Sequence, residues 1–276
     1  MTQADTLTRS SSSKTGVGAM LREWRGRRRM SQLDLALDAE ISARHLSFVE
    51  SGRSSPSRDL LLRLAERLAM PLRARNRLML AAGYAPAHAE AVFDAPALAQ
   101  MRQTVEEILT GHLPFPAIAV DGRWTLLQAN AAATALFEGI DPAMLAPPLN
   151  VLRLSLHPQG LASRIANLAE WRHHVLERLR AQMESSGDPF LAELHDELSA
   201  YPAPPAPKES RPHPLLAVPL ELRMPGSGRL LRFISATTVF RTATSVTLSE
   251  LALECFYPAD AETRAALMQQ DKESTP

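Results

Sequence analysis

Residues 31–57, SQLDLALDAEISARHLSFVESGRSSPS, carry the signals of two short helices held across a tight turn. Ser31 is placed to cap the first, with Asp34 three residues on answering in a capping-box pattern. Leu35 and Ala36 give that helix a small apolar face suited to close packing. Ser42 is placed to cap the second, where Leu46 and Val49 lie three apart on the buried side. Ala43, Arg44, Ser47 and Phe48 fall on its other faces. Gly52 follows as a C-cap residue, and Pro56 in the next loop keeps the helix from continuing. A scaffold helix followed by a short exposed one is the arrangement that reads the major groove of DNA.

The flanks extend this pair into a domain. GAMLREWRGRRR, residues 18–29, predicts a preceding helix with Met20, Leu21 and Trp24 inward and arginines at its end, where the helix dipole favours cations. Leu60, Leu61, Leu64 and Leu68 recur at helical spacing, and Pro71 starts a fifth helix. Residues 17–86 resemble the Xre/Cro-repressor type of helix-turn-helix domain, with Gln32, Glu50, Gly52, Pro56 and Ser57 at positions of that family's pattern. The resemblance implies that Gln32 sits at the end of the scaffold helix near a phosphate, that Arg44, Ser47 and Phe48 face the groove, and that Arg53 reaches the DNA backbone. With Ser42 and Ala43 at the start of the second helix, these residues form the expected DNA-binding set. Glu40 departs from the family, which usually has Gly in the inter-helix turn, and a left-handed backbone there costs a non-glycine residue about 1 kcal/mol.

Charge supports the assignment independently of the motif. Residues 1–86 hold 15 Arg plus Lys against 8 Asp plus Glu, a net of +7, so the other 190 residues carry 15 against 22, a net of −7. The neutral whole therefore conceals a basic head, suited to neutralising phosphates. At 276 residues and 45% hydrophobic, the chain should form two domains with packed cores. No stretch approaches the roughly 18 uninterrupted apolar residues of a membrane span. The polar start lacks the apolar core of a secretion signal, so a cytoplasmic protein with no membrane insertion is expected. Cys255 is the single cysteine, which excludes an intramolecular disulfide and any multi-cysteine zinc site.

Beyond about Ala95 the pattern changes. PALAQMRQTVEEIL predicts a connecting helix, and PFPAIAVDGRWTLLQAN predicts two strands around an Asp121–Gly122 turn. AAATALF reads as a short helix and residues 161–184 as a longer one. After the proline-rich stretch 202–214, LLAVPLELRM, GRLLRFISATTV and SVTLSELALECFYP read as three more strands, the first two joined across Pro225-Gly226-Ser227-Gly228. The whole is an all-α five-helix helix-turn-helix domain plus an α+β domain with an antiparallel sheet. That order resembles the PAS fold. More narrowly the chain resembles the MmyB-like regulators, on LAAGYAP at 80–86, the stretch 114–137 and NVLRLSLHPQG at 150–160. The resemblance implies a cavity between sheet and helices for an apolar effector, a fatty acid being the best candidate, and no other cofactor. Ile118, Val120, Trp124, Leu126, Phe137, Leu231 and Phe233 share a common interior by period-two or helical spacing and are the expected ligand-binding residues. The expected boundaries are a disordered tail at 1–16, the DNA-binding domain at 17–86, a connecting segment at 87–110, the PAS-like ligand-binding domain at 111–262 and a C-terminal tail at 263–276.

Signs of other chemistry are weak. His173 and His174 are adjacent on a helix and point about 100° apart, a poor metal pair, and His157 and His195 add nothing in spacing. Glu193, Asp196 and Glu197 read as a solvated face rather than an acid-base set. Cys255, between Glu254 and Phe256 on an alternating strand, reads as a small apolar filler whose thiol the neighbouring glutamate holds protonated. No catalytic or metal site is expected. The chain reads as a regulator that binds double-stranded operator DNA as a homodimer and responds to a small apolar ligand. The alternative is a regulator whose second domain only dimerises or holds another protein.

Overall fold

The computed structural model describes residues 16–202, 204, 218–240 and 244–274. All but Gly16 of the expected N-terminal tail and nearly all of the proline-rich stretch lie outside them. The chain divides into two units between His88 and Ala89.

The first unit is five helices: α1 (Val17–Arg27), α2 (Gln32–Asp38), α3 (Ala43–Glu50), α4 (Arg58–Arg67) and α5 (Leu72–Ala81). Hydroxyl caps start three of them. The Ser31 hydroxyl accepts from the Asp34 amide in a full capping box, Ser42 accepts from His45, and Ser57 accepts from Leu60. The turn between α2 and α3 closes with the Ile41 amide donating to the Ala36 carbonyl at 2.9 Å, which leaves Glu40 left-handed at φ 55°. The strained position read from the sequence is real. At the end of α3, Gly52 takes φ 75° and the Arg53 amide reaches back to the Phe48 carbonyl at 2.8 Å. Leu21, Trp24, Leu35, Leu46, Leu61 and Leu64 fill one core. Gly18 lets α1 lie against the end of α3, since a Cβ there would stand 2.2 Å from the Glu50 carbonyl oxygen.

The second unit is built on a five-stranded antiparallel sheet. In chain order it runs α6 (Ala99–Gly111), β1 (Ala117–Val120), β2 (Leu126–Ala129), α7 (Ala131–Ala135), α8 (Val151–Leu156), α9 (Leu168–Ser186) and α10 (Pro189–Ala200). Then come β3 (Leu220–Arg223), β4 (Leu230–Val239), α11 (Val246–Ser249), β5 (Ala252–Pro258) and α12 (Ala261–Ser274). The strand order is β2-β1-β5-β4-β3, so the last strand occupies the centre. Its register sets Glu254 beside Ile118 on one side and Thr237 on the other. Alternation along β5 divides its side chains between two apolar layers. Ala252 and Phe256 join the larger core with α8, α9, α10 and α12, while Leu253 and Cys255 join a smaller one with Phe93, Val105 and Leu109. A sheet covered on both faces explains why its strands are so apolar.

Four expectations change. Residues 245–251 are not strand: the Ser245 hydroxyl caps the short helix α11, a local bond that outcompetes the alternating pattern. The helix expected from 161 starts at Leu168, because Ile165 forms a bridge to Leu222 that pulls the chain out of helical geometry, although Leu161 and Ile165 are buried as their spacing suggested. Residues from 89 onward already belong to the second unit, where the Thr247 hydroxyl bonds both the amide and the carbonyl of Ala91 and Phe93 is buried. The expected tail at 263–276 is instead helix through Ser274. Asp260 caps it at the Thr263 amide, and Ala266 and Leu267 enter the core.

Candidate functional sites: the α3 face and the α8–α9 cavity

The face of α3 is presented by buried polar bonds beneath it. Glu50, 3% exposed, accepts from Arg25 at 2.9 Å and from the Gln32 amide at 2.7 Å, and its carbonyl accepts from Arg22 at 3.0 Å. One carboxylate thus ties α1 and α2 to the end of α3, with its charge paired and hydrogen-bonded as burial requires. Much of the arginine cluster is spent in the same way: Arg28 donates to the carbonyls of Leu68 and Ala69, and Arg27 pairs with Glu23. Arg29, Arg44 and Arg53 stand exposed.

The expected DNA-binding residues occupy distinct places. Arg44 projects from the first turn of α3 with its guanidinium 5.4 Å from the Phe48 ring, a stacking that holds the long side chain extended along the helix. Ser47 and Phe48 are half-buried beside it, and Ala43 packs partly against the core. The Ser42 oxygen accepts in the cap and the Gln32 amide donates to Glu50, so Ser42 keeps its hydroxyl hydrogen and Gln32 its second amide hydrogen and its carbonyl oxygen to offer outward. Arg53 is exposed just past Gly52, where the reversal of the chain brings it beside the end of α3.

In the second unit, the sheet face turned to α8 and α9 encloses a cavity of about 100 Å³. Ile118, Phe137, Leu154, Val175, Leu222 and Phe256 contribute apolar wall. Trp124 reaches it from the turn before β2 through a left-handed backbone, φ 67°, with its indole N–H donated to Gln182 Oε1 at 2.7 Å. Trp171, which also lines the cavity, donates to the Ser155 hydroxyl at 2.9 Å. One part of the lining is polar. Residues 171, 174, 175 and 178 fall on one face of α9, which brings His174 and Arg178 to the cavity opposite Glu254 and Ser235. Glu254, 3% exposed, accepts from both Arg178 terminal nitrogens and, at 2.9 Å, from the Thr237 hydroxyl. The Arg178 guanidinium also lies 4.6 Å from the centre of the Trp124 ring. Burial pushes the His174 pKa down, and the nearby Arg178 adds to the effect, so this imidazole is uncharged at neutral pH.

Of the seven expected ligand residues, Ile118, Trp124 and Phe137 line the cavity. Val120, Leu126, Leu231 and Phe233 belong to the surrounding core without forming its wall. Arg178, His174 and Glu254 were missed. The signal was present: Glu254 falls on the core-facing side of its strand between Ala252 and Phe256, where a carboxylate needs a partner. Cys255 points into the opposite layer, where burial and then Glu254 push its thiol pKa up. Glu197 of the acidic stretch is bound by Arg153 and Tyr201. Among the described residues no group of three or more His, Cys, Asp or Glu is placed to hold a metal ion, and no helix is long and apolar enough to cross a membrane.

Comparison with known families assigns both units. Residues 21–74 match the family described as helix-turn-helix, and residues 101–269 match the MmyB-like transcription regulator ligand binding domain. No curated protein matches the chain.

Proposed function

The chain belongs to the MmyB-like transcription regulators, and from that membership we propose a regulator that binds a near-palindromic operator as a homodimer and changes its DNA affinity when a small apolar molecule occupies the second unit. The observation that carries this reading is the cavity itself, an apolar chamber with a few convergent polar groups inside the domain matched to ligand binding. Arg44 is assigned to a base edge, Arg53 to a phosphate, and the exposed side of α3 to the major groove. Two heads are needed because one reads only a few base pairs, and half-sites about 34 Å apart place two recognition helices on one face of the duplex.

Size limits the effector. A cavity of roughly 150 Å³ holds a molecule such as benzene, so about 100 Å³ accepts a small body or the end of a longer chain. A full-length fatty chain requires the walls to part. The experiment is a titration of fatty acids of increasing length against thermal stability and operator binding together. Stabilisation with a parallel change in operator affinity is expected. No response in either assay would remove the ligand and leave a dimerisation domain. Sedimentation of a monomer, both free and on the best DNA site, would overturn the dimer.

A further inference from the structure

Five arginines crowd the second half of α1 and the turn after it: Arg22, Arg25, Arg27, Arg28 and Arg29. Four of them are held by the fold. Arg22 and Arg25 bond Glu50, Arg27 pairs with Glu23, and Arg28 donates to the carbonyls of Leu68 and Ala69. The Arg29 side chain is exposed and has no hydrogen bond or ion pair among the described residues. Its backbone also sits where a side chain is least welcome. The Arg29 amide donates to the Gly26 carbonyl and the Met30 amide to the Arg25 carbonyl, each at 3.0 Å, the closure that ends a helix on a left-handed residue. Arg29 takes φ 54° there, a conformation that glycine adopts without steric cost. The dipole of α1 favours a cation near this end, but no bond to the fold adds to it.

The place of Arg29 is set by the same carboxylate that presents α3. Arg25 donates both to the Met30 carbonyl and to Glu50, each at 2.9 Å, and Gln32 donates to Glu50 at 2.7 Å. The turn between Arg29 and Gln32 is thereby pinned to the last residue of α3, and Arg53 leaves that same helix end three residues later. Arg53 likewise has no side-chain partner among the described residues. Two free guanidiniums therefore flank the end of the helix assigned to the groove. An arginine spent on the fold has little left for a phosphate, whereas a free one neutralises it and releases its counterion. We infer that Arg29 is a second phosphate contact, which with Arg53 grips the DNA backbone beside the end of α3. This rests on the docking of α3 proposed above and adds a contact to it.

The test uses the full chain and an operator selected from a random duplex pool. Affinity is followed by fluorescence anisotropy from roughly 0.1 M to 1 M salt, where the slope counts the phosphates neutralised, and the melting temperature is measured alongside. Arg29→Gly removes the charge and suits the left-handed backbone. It should bind the operator and an unrelated duplex roughly eightfold more weakly at about 0.1 M salt, the loss closing towards 1 M as the slope falls by about 0.9. Its melting temperature should hold or rise. Arg29→Lys should keep the slope. Arg29→Gly combined with Arg53→Ala should lower it by about 1.8, one phosphate for each arginine. An unchanged slope in Arg29→Gly, with Arg53→Ala lowering it, overturns this inference and leaves the docking standing. Unchanged slopes in both variants overturn the docking as well. Should Arg29→Gly melt lower, Arg29→Asn decides instead, since asparagine also tolerates the left-handed region. A loss of affinity in Arg29→Asn that is the same at every salt concentration would assign Arg29 to the fold and overturn the inference.

Discussion

Arg44 and Arg53 are both exposed cations within a few residues of each other, yet they should fail differently when removed. Arg44 is on the helix face and stacked on Phe48, so Arg44→Ala should cost about 1 to 3 kcal/mol on the operator and relax preference at one base pair. Arg53 sits past the helix end, and Arg53→Ala should weaken all sequences alike and flatten the salt dependence by about one counterion. Gel-shift titration at two salt concentrations separates the outcomes. Equal loss of specificity in both variants would contradict the docking. Glu50 tests the support rather than the face. Its carboxylate is almost fully buried against Arg25, and Glu50→Ala should lower stability by about 3 kcal/mol in chemical denaturation because it strands that guanidinium. At the left-handed Glu40 the sign reverses: Glu40→Gly should stabilise by up to about 1 kcal/mol, since the backbone there already has the conformation glycine prefers.

At the scale of elements, the joint between α8 and α10 depends on pH at both ends of the range. Hydrogen bonds from Arg153, assisted by Tyr201, hold the Glu197 carboxyl below the ordinary carboxylate range. Burial, then the Glu197 carboxylate, push the Tyr201 phenol up to about 12. A carboxyl depressed by folding adds stability above its unfolded pKa and loses it as pH falls through the folded value. A phenol raised by folding adds stability below its unfolded pKa and loses it as pH rises toward 12. Stability measured against pH should therefore drop on both flanks, and Tyr201→Phe should remove the tyrosine's part of the alkaline drop while leaving the acid one. A Tyr201→Phe profile unchanged above pH 10 would contradict this. Helix α12 makes a second case. Leu267 is 4% exposed, so Leu267→Ala should cost about 2 to 4 kcal/mol on thermal or denaturant unfolding, although the sequence around it reads as a tail. These elements also show what was legible in the chain. The five-helix head could be read almost residue by residue because hydroxyl caps, leucine spacing and the Gly52 stop are local signals. The hairpin β1–β2 was legible for the same reason. Helix α12 was not, because among its described side chains only Thr263, Ala266 and Leu267 are buried, and it takes its stability from contact with a distant sheet. The polar end of the cavity was hidden likewise: Arg178 and Glu254 lie 76 residues apart, and only the central position of β5 brings them together.

At the scale of the whole molecule, the chain joins a basic helical unit that belongs to a DNA-binding class to an α+β unit that belongs to a ligand-binding one. Regulation requires that the two share free energy. Coupling between binding sites is reciprocal, so an effector that changes operator affinity by some factor must have its own affinity changed by the same factor when operator is bound. The most direct measurement uses the full chain, an operator selected from a random duplex pool, and the tightest-binding member of the chain-length series. Operator affinity is measured by fluorescence anisotropy with and without saturating compound, and compound affinity by calorimetry with and without saturating operator. The account predicts two equal factors, each of roughly 5- to 150-fold as is typical of allosteric proteins. A compound that binds the second unit while leaving operator affinity unchanged would contradict it.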